Sequence, residues 1–186
     1  MVPLAALWLP ILLSAVVIFV VSSVLHMAAP WHRNDYPRVP DEDQFRSAVR
    51  PLAIPPGDYM VPRAHGRAEM TSPAFLARVN EGPNMLLTVL PNGPWSMARN
   101  LSQWFAYLLF VSLFAAYVAG RALAPGTEYL EVFRFAGTTA FLAFVVALWQ
   151  MSIWYRRAWR LTIAATVDGL IYALLLGGVF GWLWPK

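Results

Sequence analysis

Asp168 is the residue in this chain whose type and setting most invite chemistry. It is the one charge inside an apolar run from Leu161 to Trp184. A carboxylate inside a membrane span costs about 2.5–3.5 kcal/mol on insertion scales, so it faces protein or water and marks function more often than chance. If the third and fourth apolar runs form an antiparallel pair turning near residue 158, Asp168 falls at the depth of Gln150. The amide of Gln150 can donate to the carboxylate, or accept from it when it is protonated. Tyr172 lies one turn along the same face. The expected arrangement is an intramembrane polar pair, Asp168 with Gln150, holding two helices together. The alternative is a proton relay or polar substrate site centred on Asp168.

A second group of polar residues follows the first apolar run: His26, His32 and Asp35. Imidazole and carboxylate together suit zinc or copper, and Met27, Met60 and Met70 could add soft donors for copper. The i to i+6 spacing of the histidines is not a ligand pair that a helix provides, so the sequence assigns no metal site and no cofactor. His65, in Arg63–Arg67, reads as a solvated loop residue. No catalytic motif is present: there is no GxSxG, HExxH, P-loop or GxGxxG string, and the chain reads as non-enzymatic. With no cysteine, a disulfide framework, a thiolate zinc site and an iron–sulfur cluster are excluded.

The elements that position these residues are set by apolarity. Of the 186 residues, 59% are hydrophobic and 13% charged, and mean hydropathy is +0.52. A soluble domain carries about 25% charged residues. Four stretches qualify on length as transmembrane helices: Val2–Leu25, Leu101–Ala119, Phe135–Tyr155 and Leu161–Trp184. None alternates as a barrel strand must. The first lacks the basic flank and short apolar core of a secretory signal and reads as a retained helix bent near Pro10. Tryptophans cluster near the ends of the stretches, where amphipathic rings sit at headgroup level. The expected fold is thus an all-α membrane protein with transmembrane helix 1 in 1–25, a Pro-rich extramembrane cap in 26–100, and transmembrane helices 2–4 in 101–186.

The cap holds eleven of the fifteen prolines, which disfavours long helices. It also holds too many apolar residues for a solvated linker. Asp41 is placed to cap a helix from Glu42 to Val49, ended by Pro51. Ser72-Pro73 opens a second helix that Gly82 closes. Tyr59–Val61 and Met85–Leu90 read as short extended runs. A small α+β cap is expected, with a marginal core of its own.

Arginine distribution suggests the orientation. The 26–100 loop and the 156–160 turn together hold eleven basic residues, against three in the opposite loop and termini. By the positive-inside rule the long loop is cytoplasmic and both termini are periplasmic. The net charge of +4 is then cytoplasmic arginine beside anionic lipid. Nucleic acid is not an expected partner, because the loop's eight arginines are interleaved with seven acids. The expected partners are the lipid bilayer and other membrane subunits, or further copies of the chain. Small residues at four-residue spacing, such as Ala115 with Ala119, Ala116 with Gly120 and Gly177 with Gly181, favour close helix packing.

The strings WHRNDYP (31–37), IPPGDYMVPR (54–63), FAAYVAGRAL (114–123), FRFAGTTAF (133–141), ALWQMSIWYRR (147–157) and DGLIYALL (168–175) resemble a family of small bacterial integral membrane proteins of unknown function. The resemblance spans nearly the whole chain. It implies a bacterial inner membrane as the home and adds no activity. The function expected from sequence is a structural or accessory subunit of a larger membrane assembly; the alternative is a small transporter or proton-coupled component centred on Asp168.

Overall fold

A computed structural model describes all residues from Met1 to Lys186. The first helix is prefaced by a 3-10 turn, Leu4–Leu7, and then runs as α1, Trp8–Ala28. Pro10 is therefore in the first turn of α1. The first four N–H groups of a helix have no partner within it, so the missing N–H costs nothing there.

Between α1 and the next long helix lie α2 (Glu42–Val49), β1 (Gly57–Val61), the single turn α3 (Arg67–Met70), α4 (Pro73–Glu81) and β2 (Met85–Val89). The expected caps are in place. Asp41 accepts from Gln44 N at 2.9 Å and Ser72 accepts from Phe75 N at 3.2 Å. Gly82 ends α4 at φ +68°, a conformation that favours glycine. β1 and β2 pair antiparallel, in register from Gly57 opposite Val89 to Val61 opposite Met85. Thr88 Oγ1 donates to Asp58 Oδ1 across the ribbon at 2.6 Å. Glu69 accepts from His65 N at 2.8 Å and from Arg78 Nη2 at 3.0 Å, tying α3 to α4. Residues 37–95 form one compact unit. Phe75 is its one buried apolar side chain.

The other compact unit comprises Met1–Tyr36 and Ser96–Lys186. His26–Tyr36, expected in the loop, therefore belongs with the long helices. These continue with α5 (Met97–Ala122) and α6 (Tyr129–Phe144). A 3-10 stretch, Val146–Leu148, separates α6 from the short α7 (Trp149–Ile153), and α8 (Trp159–Trp182) follows. Counting α6 through α7 as one span, four helical segments are long and apolar enough to cross a membrane. α1 packs on α5 and α8, and α6 packs on the same two, most extensively on α8.

Small residues set these contacts. Ala115, Ala116, Ala119 and Gly120 of α5 are buried, as are Ala136, Gly137 and Ala140 of α6 and Ala173 and Gly177 of α8. A methyl group on Gly177 would lie 2.8 Å from Phe133 O and 3.2 Å from Gly137 Cα. The two backbones approach more closely there than any side chain permits. Small residues at such contacts let two backbones pack closely.

Candidate functional site

The site is built where the end of α1, the turn after it and the first half of α8 meet. His26 sits in the last turn of α1. Ala29 leaves the helix in extended conformation, and Pro30–His32 forms a 3-10 turn. This segment runs back along α8. Arg160 Nη1 donates to Trp31 O at 3.3 Å and meets Asp35 Oδ1 at 3.4 Å, and Nη2 donates to Asn34 O. One guanidinium thereby clamps the whole Trp31–Asp35 turn. About two turns further along α8, Asp168 receives both aromatic residues of that turn. Trp31 Nε1 donates to Asp168 Oδ1 at 3.1 Å, and His32 Nε2 lies 2.8 Å from Asp168 Oδ2.

His32 is bound on both sides, since its Nδ1 is 2.8 Å from Asp35 Oδ2. Both partners are carboxylate oxygens, so the ring satisfies both bonds as a donor when it carries two protons. Burial alone would lower the pKa of His32. The hydrogen bond and charge of Asp35 and those of Asp168 outweigh it, and the net shift is upward from the ordinary 6.5. The network thus sets the side chains of Asp35 and Asp168 on either side of His32, with Arg160 against Asp35.

His26 stacks on His32, with ring centroids 4.5 Å apart and planes 11° from parallel. Its Nδ1 is 2.9 Å from Ser22 O. A backbone carbonyl only accepts, so Nδ1 carries the proton and Nε2 keeps its lone pair in the neutral ring. Asp168 is buried, His32 partly so, and His26 exposed. Beyond Asp168, Tyr172 packs edge-on against Phe144 and Trp104, and its buried hydroxyl has no hydrogen-bond partner. Trp104 Nε1 donates to Ser22 Oγ at 2.9 Å, fixing α5 to the same turn of α1 that holds His26.

The expected partner of Asp168 is thus corrected. Both of its oxygens are taken by Trp31 and His32, and Gln150 is exposed on α7. The reason lies in the interruption at Val146–Leu148. After it, Trp149 and Ser152 turn toward α8, where Trp149 Nε1 donates to Thr166 Oγ1 at 3.1 Å and Ser152 Oγ meets Thr162 Oγ1 at 2.7 Å. Gln150 lies about 100° round the helix from Trp149 and points away. Gly169, next to Asp168, sits against Val145 and Phe144 instead.

Of the other residues singled out by sequence, His26, His32 and Asp35 do come together, and Asp168 joins them. Met60 and Met70 belong to the 37–95 unit. His65 takes part through its backbone only, donating to Glu69. Sequence reasoning missed Trp31 and Arg160. The available signal was the polar string Trp31–Asp35 directly after one long apolar run, with a lone carboxylate in another such run in need of donors. Comparison with protein families, curated proteins and solved structures finds no match for this chain.

Proposed function

We propose that this chain is a non-enzymatic integral membrane protein serving as a structural or accessory subunit of a larger assembly in a bacterial inner membrane, with both termini periplasmic and the 26–100 connection cytoplasmic. The observation that carries the reading is the thin 37–95 unit. An independent domain of about 60 residues buries some 60% of the surface its unfolded chain exposes. Here Phe75 alone is buried, while Leu52, Met60, Leu76, Leu86 and Leu90 are exposed. An isolated two-stranded ribbon is marginal in water. A partner subunit would supply the missing core.

Photo-crosslinking from Leu86 and Leu90 in native membranes tests this. Discrete protein adducts are expected, and their absence at both positions refutes the subunit reading. Orientation is tested by alkaline phosphatase fused after Lys186, which should be active; an inactive fusion with an active cytoplasmic reporter at the same place reverses the assignment.

One observation favours the second reading, a proton-coupled component centred on Asp168. His32 bridges a buried carboxylate on a span and the more exposed Asp35, a geometry suited to handing protons between them. Proton flux into liposomes containing the protein should then be abolished by Asp168→Asn. Equal flux in both refutes it.

A further inference from the structure

We propose that His26, His32 and Asp168 form a binding site for a divalent first-row transition metal ion, with zinc the best fit. One ring nitrogen from each histidine and one carboxylate oxygen of Asp168 lie within 4.8 Å of one another. Two imidazoles and a carboxylate are a donor set for zinc and its neighbours, and three protein ligands leave a position open for water or a further ligand. Ligand bonds of about 2.0–2.2 Å limit the separation of two donors on one ion to roughly 4 Å. Closing the site takes an approach of the exposed His26 ring together with a tilt out of its near-parallel stack on His32, the two planes now lying 11° apart.

The surroundings of the ligands carry the argument beyond proximity. A metal-bound histidine donates its second N–H to a carboxylate or backbone carbonyl, which fixes the ring and raises its basicity. Both histidines here already have that support. His26 Nδ1 is held by Ser22 O at 2.9 Å, and His32 Nδ1 by Asp35 Oδ2 at 2.8 Å. Arg160 holds the Asp35 carboxylate and the turn around it, and Trp31 Nε1 holds the second oxygen of Asp168. In the metal-free arrangement the proton on His32 Nε2 bridges to Asp168 Oδ2; the ion would replace that proton. The third ligand comes from α8, 136 residues beyond His32, which explains why the i to i+6 spacing of the histidines gave no sign of the site. The inference does not depend on a partner subunit or on proton transfer.

The test uses the full chain purified in detergent, stripped with a chelator and titrated with Co²⁺, followed by Zn²⁺. One equivalent of Co²⁺ should bind with visible bands of a low-coordinate nitrogen–oxygen site, and Zn²⁺ should displace it. His26→Ala should weaken binding at least tenfold. It leaves the Asp168–His32–Asp35 bonds intact, and an unchanged thermal melt in chelator verifies its fold. Asp168→Asn should do the same, and Asp35→Asn should cost about 10–100-fold through His32. His65→Ala, distant in the chain, should bind as the parent does. Uptake of well under one equivalent by the parent, or parental affinity in His26→Ala, overturns the site.

Discussion

Replacing Asp168 by leucine removes the acceptor for two donors, Trp31 Nε1 at 3.1 Å and His32 Nε2 at 2.8 Å. A neutral hydrogen bond contributes about 1 kcal/mol and one to a charged group about 1.5–3 kcal/mol. The variant should therefore lose about 3 kcal/mol. That is the lower end of the roughly 3–5 kcal/mol for breaking a buried ion pair, as befits a histidine that is only partly buried. Leucine is also cheaper than aspartate inside a span, but equilibrium unfolding by SDS in mixed micelles compares two states that both keep helices in an apolar phase, so this term largely cancels. The informative quantity is the double-mutant cycle with His32→Leu, followed by circular dichroism. A coupling energy of about 1–2 kcal/mol is expected for residues in one network. Gln150→Leu, on the exposed face of α7, should change stability by less than about 0.5 kcal/mol and add simply to Asp168→Leu. Additive losses for Asp168 and His32, or coupling between Asp168 and Gln150, would refute the placement of the carboxylate.

Three further perturbations probe other levels of the structure. Gly177→Ala places a methyl 2.8 Å from Phe133 O and should destabilise the α6–α8 contact by about 1–3 kcal/mol; Gly178→Ala, whose nearest neighbour is Tyr129 Oη at 3.6 Å, should be tolerated in the same SDS titration. Ser72→Ala removes the acceptor for Phe75 N and should cost about 1 kcal/mol locally, read as faster amide exchange over Phe75–Val79. In chelator, the His32 ring should titrate by NMR above 6.5, because Asp35 and Asp168 on either side outweigh burial, with Arg160 and His26 the other ionisable groups against it. A raised folded-state pKa contributes stability that is complete below the unfolded value and lost as pH rises through the folded one. Melting temperature should thus fall as pH rises above 6.5, and His32→Gln should flatten that fall; a pH-independent melt in the parent refutes the assignment.

The features legible in the sequence are those decided within a few residues of chain. Long uncharged apolar runs become helices because backbone groups in an apolar setting bond within their own segment, and the four runs match the four long helical segments. Asp41 and Ser72 cap helices because their side chains reach an N–H three residues on. Gly82 ends α4 because it takes a positive φ without strain. The site was not legible in that way. Asp168 declared itself as a carboxylate in need of a donor, but the choice of donor was made by packing. Matching depths across the last turn assumed an unbroken helix through Gln150, and the 3-10 stretch at Val146–Leu148 rotates that residue away. The donors that replaced it, Trp31 and His32, are separated from Asp168 by 137 and 136 residues. They reach it because α1 packs beside α8 and Arg160 folds the turn after α1 back along that helix. Contacts of that range depend on which helix faces lie together, and that is decided by the fit of small residues between backbones rather than by any local pattern of residue types.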